Sequence, residues 1–154
     1  MVKFIAHRGN WDGAQPEYEN TKQYLEFAYH DKGYDVEVDL QAHRGILYYG
    51  HDDAQQLADL SFLQLPGVWC HAKNIEALIL LMNMRTNCFW HDVDKCTLTS
   101  NGNIWCYPGV HIQHPNAVWL DLLNEPLPNV VSDIYGYCGD KINENINNGI
   151  TGQR

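Results

Sequence analysis

The chain of 154 residues contains no long apolar run, no cluster of basic residues and no closely spaced pair of cysteines, and each absence removes a class of protein. Its longest uninterrupted apolar stretch, residues 77–82, falls well below the roughly 20 residues that a bilayer-crossing helix needs. The opening MVKFIAHRGN holds no apolar run of signal-peptide length. A soluble, cytoplasmic protein is therefore expected, with no membrane span. The formal net charge of −9, without any lysine/arginine cluster, argues against a nucleic-acid duplex as partner, because phosphate neutralisation drives that binding. The five cysteines include no pair at the two-residue spacing of zinc knuckles or redox motifs. They read as reduced thiols of an intracellular protein, with oxidation in a secreted one as the alternative.

What is present suffices for one domain. A chain of this length with 45% hydrophobic residues can bury an ordinary core. The domain is expected over residues 1–142, followed by a polar tail at 143–154 with glycine breaks. Eight histidines in so short a chain favour proton transfer or metal binding, and a bound divalent ion would let an acidic protein hold an anion.

Residues 2–6 form a short apolar run that ends in His7-Arg8-Gly9, which predicts a buried strand followed by a loop. A helix should follow, capped by Asn20 or Thr21 and stopped by Gly33. Residues 34–41 (YDVEVDLQ) alternate strictly, so Val36, Val38 and Leu40 point one way and Asp35, Glu37 and Asp39 the other. Carboxylates on the second face of a strand call for water or a cation there. Residues 45–49 read as a strand delivering Gly50-His51-Asp52, and residues 68–73 as a strand feeding a helix over 74–84. Asn101-Gly102 between two β-forming runs predicts a hairpin. Residues 88–91, 117–122 and 135–138 complete the strands. Strands alternating with helices imply parallel βαβ units and an α/β fold.

Four motifs stand in order: His7-Arg8-Gly9 at a strand end, Glu19-Asn20-Thr21 before a helix, Glu37-Val38-Asp39 within a strand, and Gly50-His51-Asp52. Together they resemble the opening signature of the glycerophosphodiester phosphodiesterase family, within the wider phospholipase-C-like phosphodiesterases, over roughly the first third of the chain. The resemblance implies a (β/α)8 barrel with its site at the carboxyl ends of the strands. An eight-fold barrel usually needs roughly 250 residues, so the expectation is a compact, reduced TIM-like barrel with some helices shortened or replaced by loops and hairpins. The resemblance further implies a divalent cation, Mg²⁺ or Ca²⁺, on Glu37 and Asp39. It makes His7 and His51 the acid/base pair, Arg8 and Lys73 the phosphate contacts, and a small phosphodiester the substrate. Elementary chemistry agrees, since phosphodiester cleavage needs one group to take a proton and another to give one. The family places a metal-binding glutamate two residues before the lysine, where this chain has His71. That imidazole can ligate a softer ion, hydrogen-bond substrate, or leave the metal two carboxylates. Asp92, Asp94, Asp121 and Glu125 are possible substitutes, with Asp121 best placed by parity on the face of Trp119. Residues 135–140 (YGYCGD) loosely resemble the family's last barrel strand, which ends in an aspartate. Two functions remain open: metal-dependent hydrolysis, or a non-catalytic relative that binds a phosphorylated metabolite or a protein partner.

Overall fold

The computed structural model describes residues 2–122 and 133–147, together with the backbone of 152–153. Eleven strands lie in it: β1 (Val2–His7), β2 (Asp35–His43), β3 (Ile46–Tyr49), β4 (Gln56–Leu57), β5 (Val68–Ala72), β6 (Cys88–Phe89), β7 (Cys96–Leu98), β8 (Ile104–Cys106), β9 (Ala117–Asp121), β10 (Gly136–Gly139) and β11 (Gly152–Gln153). The helices are α1 (Lys22–Glu26), which runs on into a π-turn at Phe27–Asp31, then α2 (Leu60–Leu63), α3 (Ile75–Asn83) and α4 (Ile142–Asn147).

The parallel part of the sheet has the order β6-β5-β2-β1-β10-β9-β8. Antiparallel strands extend it: β7 on β8, and the β3–β4 hairpin on the far half of β2. β2 is the hub, because its first residues pair with β1, its middle with β5 and its end with β3. The sheet curls until inward side chains of its far strands touch. Phe89 of β6 stacks on Trp105 of β8 at 4.5 Å, and Ser100 bonds both the N–H and the carbonyl of Cys88.

The expected (β/α)8 barrel is therefore not formed. The protein is a strand-rich, curled half-barrel with a mixed sheet and few, short helices. Between β6 and β9 the described connections are a hairpin and loops. Residues 90–116 explain this: they carry an Asn-Gly turn, two prolines and scattered acids, but no apolar stripe at helical spacing that a helix would need to cover the sheet. β6, with two residues, is also too short to ladder onto a further strand.

Where the apolar spacing is helical, helices form. Ala77 and Leu81 of α3 lie buried four apart, and the Asn74 side chain caps the helix by accepting from the Ala77 N–H at 2.8 Å. The polar segment after residue 142 is structured at its start, as Ile142 is buried and Tyr34 donates a hydrogen bond to Asn143. Residues 148–151 of the expected tail lie outside the described residues. Among the described residues no helix is long and apolar enough to cross a membrane.

Two cores result from the alternation of β2 and its neighbours. Val36, Val38 and Leu40 join Leu25, Ala28, Leu63, Ala77 and Leu81 beneath the helices. The concave face holds Ile5, Trp69, Phe89, Trp105, Val118, Leu120 and Cys138. Trp69, Trp105 and Trp119 are buried, whereas Trp90 is exposed. All five thiols are free, and every one but Cys96 is buried. Replacing Trp105 by alanine should remove the aromatic floor that joins the two edges of the sheet, costing roughly 3–5 kcal/mol. Val93→Ala on the exposed loop should cost under about 0.5 kcal/mol, and urea unfolding of both variants checks the contrast.

Candidate functional site

Four concave-facing rows begin apolar and end polar at the carboxyl end of the strand. Ile5 leads to His7, Trp69 to His71, Phe89 to His91 and Cys138 to Asp140, while β2 contributes Glu37, Asp39 and Gln41. Strand register sets His7 beside Glu37 and Asp39 beside His71. Parallel sheets gather functional groups at this end, where loops can diverge without disturbing the ladder.

At the centre, Glu37 and Asp39 are both about 1% exposed. His71 Nδ1 stands 3.3 Å from a Glu37 oxygen and 3.3 Å from an Asp39 oxygen. One donor atom from each of the three residues lies within 4.8 Å of the others, so the trio can hold a metal ion. His71 is fixed on both sides: its ring stacks on Phe89 at 4.7 Å, and its Nε2 meets the His91 carbonyl at 3.2 Å. A carbonyl only accepts, so Nε2 carries a proton, and Nδ1 is the nitrogen turned to the two carboxylates, where it hydrogen-bonds Glu37. Burial alone would raise the Glu37 pKa, but the His71 hydrogen bond and the charges of His7, His71 and Arg8 reverse this and hold it at about 2. Glu37 is therefore an anion at neutral pH. Lys73 reaches to 3.9 Å from Asp39, at the edge of the cluster.

The first motif wraps around these carboxylates. Arg8 and Gly9 take left-handed φ of 53° and 87°, and the turn aims the Arg8 N–H at Glu37 Oε2, 3.1 Å away. A side chain at Gly9 would drive into Tyr24 on α1. The Arg8 guanidinium is committed to protein carboxylates, with Nε 2.9 Å from Asp39 and Nη1 3.2 Å from Glu19. Asn20, at φ 57°, does not cap α1. Its amide donates to Asp39 Oδ2 and accepts from the Asp39 N–H, both at 2.9 Å. Thr21 is the N-cap residue and makes no side-chain cap bond.

His7, 8% exposed, bonds through Nδ1 to Asp140 Oδ1 at 2.8 Å, while its Nε2 faces Glu37 at 4.0 Å. The buried Asn10 donates to the same Asp140 oxygen and to Glu19, which ties the first loop to the end of β10. Burial would lower the His7 pKa, yet the Asp140 hydrogen bond and the charges of Glu37 and Asp140 outweigh it and raise the pKa above 6.5.

Gly50 carries φ 144°, and any side chain there would overlap the Asp53 carbonyl. Its N–H donates to the Asp39 carbonyl at 3.0 Å, and Gln41 from the concave face donates to the His51 carbonyl at 2.7 Å. His51 thereby stands at the rim of the cluster, with its Nδ1 on Asp52 Oδ1 at 2.7 Å. Asp52 feels the charges of Arg8 and Lys73, which help its bond to His51 lower its pKa. Both candidate acid/base histidines thus have Nδ1 held by a carboxylate.

Asp121 is not brought to the cluster. Cys138 pairs with Leu120 across the concave face, so Leu120 faces inward and Asp121 turns outward to accept a short hydrogen bond from Tyr137. The parity shared with Trp119 holds, but that face belongs to the outer core. Asp92 and Asp94 are exposed loop acids, and Glu125 lies outside the described residues. Asp140, Asn10, Glu19 and Asn20 are the supporting residues that pattern reading did not assign to the site. His91 is a further one: it is buried, and neither ring nitrogen has a hydrogen-bond partner among the described residues. In comparison with known proteins, no family model, no curated protein and no solved structure matches this chain.

The Asp140 bond makes a pH-dependent expectation. A histidine whose folded pKa is raised stabilises the fold fully below its unfolded value of about 6.5, and that contribution disappears as pH rises through the folded pKa. Asp140→Asn should lower the His7 pKa and cost more stability at pH 5.5 than at pH 8.5. Histidine NMR titration with chelator present, and melting at the two pH values, check it; an unmoved His7 titration would show that Asp140 does not tune the residue.

Proposed function

We propose that the protein is a metal-dependent phosphodiesterase acting on a small glycerophosphodiester-like substrate. The observation that carries this reading is the convergence of Glu37, Asp39 and His71 with the His7–Asp140 pair at the carboxyl end of one parallel sheet. The ordered motifs that resemble the glycerophosphodiester phosphodiesterases support it, and here those motifs hold one another: Glu19 grips Arg8, and Asn20 grips Asp39.

Lys73, 17% exposed in its side chain, offers an ammonium to a phosphoryl oxygen. Arg8 supports this indirectly, since its Nη1 donates to Glu19 and its charge pairs with Asp39. A divalent cation, when bound, supplies charge neutralisation at the phosphate. Oxygen donors alone would suit Mg²⁺ or Ca²⁺. His51, with Asp52 on Nδ1, takes the proton of the attacking hydroxyl at Nε2 as the new P–O bond forms. His7, whose raised pKa keeps its proton near neutrality, gives that proton from Nε2 to the departing alkoxide as the old P–O bond breaks. The attacking hydroxyl is either water or a hydroxyl of the substrate, and the latter yields a cyclic phosphate.

One observation favours the non-catalytic alternative. Arg8 and Lys73 already approach Asp39, so the carboxylates are partly compensated without a cation. Turnover separates the two readings. Glycerophosphodiesters and a chromogenic bis-phosphodiester, followed by ³¹P NMR with added Mg²⁺, Mn²⁺, Ca²⁺ or Zn²⁺, should yield a phosphomonoester or a cyclic phosphate. His7→Ala and His51→Ala should each lower kcat by about 10²–10⁴-fold. The enzyme reading is falsified if no metal supports turnover that these substitutions remove.

A further inference from the structure

We infer that the Glu37–Asp39–His71 centre is built for Zn²⁺ or a similar borderline transition cation, with His71 as the ligand that selects against Mg²⁺ and Ca²⁺. This deepens the metal-binding part of the proposed function and does not depend on turnover.

The donor set is the first reason. Mg²⁺ and Ca²⁺ take oxygen ligands, and imidazole nitrogen suits Zn²⁺ and other later first-row ions. His71 cannot readily leave the cluster, because Phe89 stacks on one face of its ring and the His91 carbonyl holds Nε2. That second bond is the support metal-bound histidines usually have, and it leaves Nδ1 as the nitrogen that a bound cation would take in place of its hydrogen bond to Glu37.

Spacing is the second reason. Donors on a tetrahedral ion at 2.0–2.1 Å stand about 3.3–3.4 Å apart, and those on Ca²⁺ with its longer bonds about as far, whereas octahedral Mg²⁺ needs about 2.9 Å; spacing thus speaks against Mg²⁺, and the nitrogen donor against Ca²⁺. His71 Nδ1 is 3.3 Å from one oxygen of Glu37 and 3.3 Å from one oxygen of Asp39. A single N–H cannot point at both oxygens, but a lone pair and two carboxylate oxygens can point at one ion between them. Three protein ligands also match the usual catalytic zinc site, which leaves its fourth position to solvent or substrate.

Surroundings are the third. The carboxylates rest on an apolar floor of Trp69, Phe89 and Trp105, where water cannot supply a competing shell. Mg²⁺ gives up its waters reluctantly and is usually bound with several of them retained.

Metal binding itself tests the inference. In a Cys96→Ser background, which removes the exposed thiol, the full chain is titrated with Zn²⁺, Mn²⁺, Mg²⁺ and Ca²⁺ by chelator-competition calorimetry. Long-range ¹H–¹⁵N NMR follows the histidine nitrogens. One Zn²⁺ site at least a hundredfold tighter than Mg²⁺ is expected, with His71 Nδ1 shifting on Zn²⁺ addition. His71→Glu should move the Zn²⁺/Mg²⁺ affinity ratio at least tenfold toward Mg²⁺, and His71→Gln should weaken Zn²⁺ alone. A wild-type preference for Mg²⁺ or Ca²⁺, or a His71 Nδ1 that does not respond to bound Zn²⁺, overturns the inference. Should His71→Glu fail to melt cooperatively, the wild-type selectivity and the His71 nitrogen shift still decide. Tight Zn²⁺ binding without turnover would sink the enzyme reading and leave this one standing.

Discussion

Two carboxylates buried on the concave face of β2 are the constraint around which the rest of the structure is arranged. Leaving Glu37 and Asp39 nearly without solvent is costly unless each oxygen finds a donor or a cation. The fold supplies these from every side: the Arg8 backbone and Asn20 amide as hydrogen bonds, Arg8 and Lys73 as charges, and His71 as a shared neighbour. Because the floor beneath is aromatic, these interactions act in a medium of low polarity and are correspondingly strong. The same low polarity makes the arrangement brittle, since losing one partner strands a buried charge.

The same need for donors shapes the backbone around the carboxylates. Arg8 and Asn20 both occupy left-handed φ without being glycine, and both direct a donor at a carboxylate of β2. Strain of that kind costs of order 1–3 kcal/mol and persists only where the surroundings require it. The Asn10 bridge between Glu19 and Asp140 then extends the network to the far side of β1. Four segments distant in sequence thus share one electrostatic balance, and the geometry of the His7 ring depends on all of them.

Most of the elements and the central residues were legible in the sequence, because both rest on local pattern. The strict alternation of residues 34–41 gave the hub strand and its acid face, and the apolar spacing with Asn74 gave α3. The order of the motifs gave His7, Glu37, Asp39 and His51. What could not be read was long-range. Closure of the sheet is decided by whether segments after β6 carry a helical stripe to bury, and the family's barrel was imposed on a stretch that has none. Asp121 was placed by parity along β9, but parity cannot say which face is concave; only pairing with β10 does so. Asn20 looked like a cap because its sequence position suits one, and its actual partner is nineteen positions away. Asp140 was visible as a weak likeness of the last barrel strand and gained a role once β10 lay beside β1.

The half-barrel bears on the chemistry. The candidate site at the carboxyl ends of the parallel strands draws His7 from β1, Glu37 and Asp39 from β2 and His71 from β5, while Asp140, His51 and Lys73 stand just beyond β10, β3 and β5. The remaining strands complete the concave apolar floor instead: Phe89 and Trp105 join its two edges by stacking where a full barrel would use a ladder. The stacking continues upward through Phe89 to the face of His71. The device that closes the sheet is thus also the one that orients the imidazole among the carboxylates.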